Sequence, residues 1–149
     1  MKTLVVYDSV YGHTKIIAEA IGDALPGEVE VLHVGDVEAS GLEANDLLIV
    51  GAPTHGGKPS EAIRAFLDRI QALALEGVSV AGFDTRVTHK LARLLGFAAP
   101  KIAKALQKKG GTLVGPPGDF YVTGGEGPLK EGEVERAAAW AKGLVGSKT

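Results

Sequence analysis

The chain of 149 residues contains no cysteine. That absence excludes disulfide staples, thiolate nucleophiles and cysteine-held zinc or iron–sulfur centres. It also lacks an apolar stretch long enough to cross a bilayer. The N-terminal run Leu4-Val5-Val6-Tyr7 stops at Asp8, well short of a secretory leader. These two absences point to the cytoplasm, without membrane insertion. Positive charge is not in excess either: 16 Lys and Arg stand against 18 Asp and Glu, a formal net charge of −2. No basic footprint for nucleic acid follows from that balance. The four histidines, His13, His33, His55 and His89, are too scattered for a metal site. No acid/base set demands hydrolytic or transferase chemistry, so no catalytic residue is assigned.

What is present describes a folded protein. The 45% hydrophobic and 23% charged fractions are those of a globular chain. Residues 1–149 are expected to form one domain with a core of its own. Leu4 to Tyr7 suits a strand buried on both faces, and Ile17, Ala20, Ile21 and Ala24 switch to helical spacing. Val29 to His33 reads as an outer strand and Asp36 to Asn45 as a surface connection. Leu47 to Val50 is a second buried strand, feeding a Gly- and Pro-rich loop from Gly51 to Pro59. A helix follows, opened by Pro59 or Ser60, with Ile63, Phe66, Leu67 and Ile70 on one face.

Val78 to Phe83 supplies the fourth strand. Leu91, Leu94, Leu95 and Ala98 keep helical spacing until Pro100, and a second helical stretch carries Ile102, Ala103 and Leu106. Thr112 to Val114 and Phe120 to Thr123 are expected as two parts of the last edge strand, interrupted at Pro116-Pro117. The closing helix, Glu133 to Leu144, should turn Val134, Ala137, Ala138, Ala141 and Leu144 inward. Strands alternating with helices predict an α/β fold, a doubly wound parallel sheet with right-handed crossovers.

The junction between the first strand and the first helix carries the chemistry. Ser9-Val10-Tyr11-Gly12-His13-Thr14 opens directly into a helix, where unpaired backbone N–H groups and the positive end of the helix dipole converge. Ser9, Tyr11 and Thr14 add hydroxyls, and Gly12 permits close approach of backbone to a ligand. Such a loop favours binding a phosphate. It is neither G-x-x-x-x-G-K-[ST] nor G-x-G-x-x-G. The same residues would also serve an ordinary turn capped by Ser9 or Thr14.

The loop resembles the flavodoxin phosphate loop, in which an aromatic residue ends the strand and Ser/Thr-x-x-Gly-x-Thr follows. Tyr7, Ser9, Gly12, Thr14 and Ala18 fall on that pattern. His13 stands where the family usually has asparagine, and Val10 where a hydroxyl residue is common. The resemblance implies a five-stranded sheet in the order 2-1-3-4-5, which sets this loop beside Gly51–Pro59. It also implies FMN as cofactor. Within the second loop, Pro53, Thr54, His55, Gly56 and Gly57 match the segment that lies against the flavin ring, where a glycine peptide can flip at low cost. Phe83, Asp84, Thr85 and Arg86 fall where the family places its other ring-contacting loop. There backbone groups would meet the pyrimidine edge, and Arg86, if turned inward, would favour an anionic reduced flavin.

The ring-stacking tyrosine common in the family is absent between Arg86 and Leu95. The 86–100 segment is therefore expected to act as a lid or docking surface. Phe120-x-Val122, Gly127-Pro128-Leu129 and Trp140-Ala141 resemble short flavodoxin-family proteins, with Trp140 a packing residue. The resemblance implies an FMN-binding redox protein that carries electrons between redox partner proteins. The alternatives are a small FMN-dependent reductase of a quinone or similar acceptor, and a flavodoxin fold that has lost FMN and only binds. A phosphorylated receiver domain is excluded, because Val50-Gly51 replaces its aspartate and Phe120 to Thr123 offers no lysine.

Overall fold

A computed structural model describes residues 1–87, 95–124 and 126–146. Among these residues seven strands form the sheet: β1 (Lys2–Tyr7), β2 (Glu28–His33), β3 (Leu47–His55), β4 (Lys58–Pro59), β5 (Ser79–Val87), β6 (Thr112–Leu113) and β7 (Gly118–Val122). The described helices are α1 (His13–Ala24), α2 (Glu61–Arg69), α3 (Ala98–Lys108) and α4 (Glu133–Gly146).

The parallel strands run β2-β1-β3-β5, and β6 and β7 both pair with the far edge of β5. This is the expected order 2-1-3-4-5, with its last position filled by two strand pieces. Pro116 and Pro117 lie in the break, where they remove no ladder hydrogen bond. β4 was not foreseen. It pairs antiparallel with the end of β3, Thr54 opposite Pro59 and His55 opposite Lys58, so the expected loop is a hairpin turning at Gly56-Gly57.

The pleat sorts the apolar strand residues between two cores. Val5, Tyr7, Ile49, Ala81 and Phe83 face α1 and α4, while Leu4, Val6, Leu48, Val50 and Val80 face α2 and α3. On the first side Phe83, Phe120 and Trp140 meet edge to face with centroids 6.0–6.3 Å apart. Trp140 Nε1–H donates to the carbonyl of Pro116 at 2.9 Å, which confirms it as a packing residue. Gly51 lies under the Phe83 ring, with no room for a Cβ.

Three expectations need correction. β5 runs to Val87, so the expected strand does not stop at Phe83 and Asp84 to Arg86 are strand and not loop. Pro100 sits in the first turn of α3 and does not end a helix, because N–H groups there have no intrahelical acceptor to lose. Val134 is 41% exposed, not inward. Leu91 and Leu94, with most of the expected lid, lie outside the described residues. Among those described, no helix is long and apolar enough to cross a membrane.

Phe83 is fully buried between sheet and helices. Phe83→Ala should cost about 3–5 kcal/mol of unfolding free energy, read as a lower denaturant midpoint at unchanged slope.

Candidate functional site

β1 and β3 are adjacent, with Tyr7 opposite Gly51, and the Asp8 N–H donates to the Gly51 carbonyl at 3.2 Å. The two expected loops therefore meet at the carboxyl edge of the sheet, together with the ends of β5 and β7. A crevice of about 280 Å³ opens there. It is lined by Ser9, Val10, Tyr11, His13, Thr14, Pro53, Thr54, His55, Thr85, Arg86, Val87 and Val122. A second crevice of about 230 Å³ shares Thr54, Arg86 and Val87 and adds Gly56, Gly57, Leu95 and Phe97. Joined, they fall in the range of roughly 300–1,000 Å³ usual for small-molecule sites.

The Ser9–Thr14 turn is shaped by its own polar groups. Gly12 has φ +89° and precedes α1, and its N–H donates to Ser9 Oγ at 3.0 Å. Ser9 N–H donates to Asp8 Oδ1 at 2.9 Å. The same oxygen stands 3.2 Å from His33 Nε2. Because Gly35 N–H donates to His33 Nδ1, the neutral ring carries its hydrogen on Nε2 and donates to Asp8. Ile16 N–H already donates to the Gly12 carbonyl. The amides of His13, Thr14 and Lys15 have no acceptor among the described residues, and they open at the helix start.

Thr14 is buried, and its hydroxyl lies 2.8 Å from that of Thr85. Two hydroxyls share one hydrogen bond, so one keeps a hydrogen to donate into the crevice. His13 is placed differently from an anion ligand. Its Nε2–H donates to the Glu126 carbonyl at 2.7 Å, tying that residue to the loop. The structure thus brings together the open amides, Ser9 Oγ and the Thr14–Thr85 pair at one end, a donor set suited to a phosphate.

The other end is walled by the β3–β4 hairpin and by Arg86. The guanidinium donates Nε to Asp84 Oδ1 at 2.8 Å and Nη2 to Oδ2 at 2.7 Å, and stacks 3.6 Å over the Phe97 ring. Asp84 has no exposure and also accepts Ala99 N–H at 2.8 Å, while Thr54 Oγ1 accepts Ala98 N–H at 3.1 Å. The start of α3 is thereby capped from the sheet. Burial pushes the Asp84 carboxyl above its usual range, against the pull of Arg86 and of the Ala99 amide. Burial pulls Arg86 down, but the Asp84 hydrogen bonds and charge outweigh it, and Arg86 stays cationic.

Of the expected residues, Phe83 and Asp84 stay outside both crevices. Their main chain lies inside the sheet, opposite Gly51 and Ala52 on one side and Gly118 and Asp119 on the other. It is therefore not free for a ligand edge, as a loop would have been. Gly12 shapes the turn without lining the crevice, and Gly56 and Gly57 line only the second part. Val122 was missed, while Val87, Leu95 and Phe97 were expected only as part of the 86–100 segment and not as site residues. The register Val87 opposite Val122 is the signal that would have found the two valines. No group of three or more metal-ligating side chains gathers among the described residues.

Removing Asp84 leaves a mostly buried cation unpaired. Asp84→Ala should cost about 3–5 kcal/mol, and Asp84→Ala/Arg86→Met should recover part of it in a denaturation series.

Comparison with known proteins places this arrangement. The sequence model of a Flavodoxin domain family matches residues 4–127. The chain is 28% identical to an NAD(P)H dehydrogenase (quinone) of Cupriavidus metallidurans, over 99% of this chain and 96% of that protein. Oxidised Flavodoxin 2 from Bacillus cereus superposes with TM-score 0.82 at 26% identity, covering 99% of both chains. Flavodoxin 1 of the same organism gives 0.81 at 24% identity and supports the fold alone. With the family match covering most of its length and the doubly wound sheet in the same order, the chain belongs to the flavodoxin family.

Proposed function

We propose that this chain binds FMN in the joined crevice and works as an electron-carrying redox protein, the whole chain acting as one flavodoxin-like domain. The observation that carries the reading is the set of open amides at His13, Thr14 and Lys15 beside the Thr14–Thr85 hydroxyl pair. Ser9 to Thr14 would hold the phosphate. Pro53 to Gly57 and Arg86 would flank the ring, with Thr85 beside Thr14 at the phosphate end and Val87, Leu95 and Phe97 supplying apolar wall. Bound FMN supplies one- or two-electron transfer, and the protein supplies position and electrostatics. Thr54 and Asp84 fix α3 and Arg86, and so fix the wall against which the ring would rest.

The missing stacking tyrosine does not defeat this reading. An aromatic stack adds about 0.5–1.5 kcal/mol beyond burial. FMN, with roughly 30 non-hydrogen atoms at ~0.3 kcal/mol each, has far more to gain from the rest of the site.

A second reading is favoured by the relative named as an NAD(P)H dehydrogenase (quinone). On that reading the second crevice admits a small acceptor to the ring. Steady-state oxidation of a nicotinamide cofactor by the isolated protein separates reductase from carrier.

The first test is the visible spectrum of the purified protein before and after adding FMN. Flavin bands with quenched fluorescence support the proposal, and their absence leaves a fold used for binding alone. Thr14→Ala should weaken FMN about ten- to a hundredfold, the worth of one hydrogen bond to a charged group. Riboflavin, lacking the phosphate, should change little, and equal losses for both ligands would sink the loop assignment. His55→Trp should tighten FMN severalfold by adding a stacking surface on the exposed hairpin. An unchanged dissociation constant would show that residue 55 does not cover the ring.

A further inference from the structure

The formal charge of −2 hides an uneven surface. Beside the second crevice lies a groove of about 400 Å³ lined by Lys58, Pro59, Arg64, Leu67, Asp68 and Lys101. The two are joined through Lys101, whose Nζ donates to the carbonyls of Gly57 and Leu95, both residues of the crevice wall. Lys58, Arg64 and Lys101 make no ion pair among the described residues. From Lys101 the charge continues along α3. Lys101, Lys104 and Lys108 recur at helical spacing, all exposed, on a helix that contains no acid.

The neighbouring acids do not cancel this strip. Glu61 and Asp68 on α2, with Glu76 beside Gly110 past the end of α3, are three carboxylates against five cations. Two acids nearer the crevice are already engaged, Asp8 by Ser9 N–H and His33, and Asp84 by Arg86 and Ala99 N–H. At the strip's head Leu95 is 58% exposed. An apolar point flanked by unpaired cations is the complement of an acidic protein face with an apolar centre.

We propose that the Lys58–Arg64–α3 strip docks an acidic redox partner protein against the crevice. The docking names a partner for the flavin reading and rests on that reading for its electron transfer. Three other occupants fit less well. The strip has no aromatic residue on which nucleic-acid bases would stack. The apolar residues of α3, Ile102, Ala103 and Leu106, are buried against the sheet, so no face is left for a bilayer. A single phosphate would use only the groove, whereas the lysines of α3 extend about 10 Å beyond it at 1.5 Å per residue. Charge of this kind acts mainly on encounter and on choice of partner, and it weakens with salt.

The test measures binding of fluorescently labelled plastocyanin, as an acidic redox protein, and cytochrome c, as a basic one, at low and high ionic strength. Plastocyanin should bind at low salt and release as salt rises, and cytochrome c should not bind. Arg64→Gln/Lys104→Gln/Lys108→Gln touches neither crevice and should weaken plastocyanin about tenfold or more. Lys104→Glu alone should weaken it severalfold, which guards against misfolding of the triple variant. No plastocyanin binding, equal binding by wild type and both variants, preference for cytochrome c, or tighter binding of a short DNA duplex would each overturn the proposal. Binding needs no flavin, so failure to take up FMN would sink the flavin reading and leave the docking result standing.

Discussion

Three parallel strands end at one edge of the sheet because β3 lies between β1 and β5, and the site depends on that register. Tyr7 stands opposite Gly51, and Gly51 opposite Phe83. The turn after β1, the hairpin at the end of β3 and the last residues of β5 therefore surround one space. Nothing local in the Ser9–Thr14 loop could bring Thr85 to Thr14, 71 residues away in the chain. The parallel ladder does so, and the cost of closing such long connections is offset by burying both faces of the sheet.

Two of the helices that begin at this edge, α3 and α1, are treated in opposite ways. α3 is capped by the sheet: Thr54 and Asp84 accept its first amides, and Asp84 also neutralises Arg86. Its dipole is answered by a buried carboxylate, so an incoming anion would find that position taken. α1 has no side-chain cap, since Ser9 spends its hydroxyl oxygen on Gly12 and the amides at 13, 14 and 15 stay open. The crevice is thus polarised by construction. One end has donors waiting for negative charge, and the other has its charges already paired.

The sequence made the layers plain because their signal is local. Apolar runs on both faces mark central parallel strands, and the proline-broken edge strand could be placed from Pro116-Pro117 alone. The ends of β3 and β5 were obscured by composition. Gly51-Ala52-Pro53 and Asp84-Thr85-Arg86 have the composition of loops, yet they are extended because neighbouring strands hold them. That error hid the main electrostatic feature of the site. In a strand, residues two apart share a face, so Asp84 and Arg86 are placed to pair. In the loop that was expected, the two had no defined relation. His13 taught the converse lesson. Its position in the motif was legible, but its partner, the Glu126 carbonyl, comes from a turn 113 residues away.

The Asp84–Arg86 pair also changes what Arg86 would do to a flavin. An isolated arginine beside the ring would favour its negatively charged form by direct attraction. Here the bidentate carboxylate offsets that charge within 2.7–2.8 Å, and the remaining field at the crevice is that of a dipole. A dipole's field falls faster with distance than a charge's, so the guanidinium matters chiefly as a flat, fixed wall stacked on Phe97. With its own charges paired, the crevice would leave the choice of any partner to the exposed groups around it. The unpaired lysines outside the site would then steer the encounter, while the paired charges inside hold its shape.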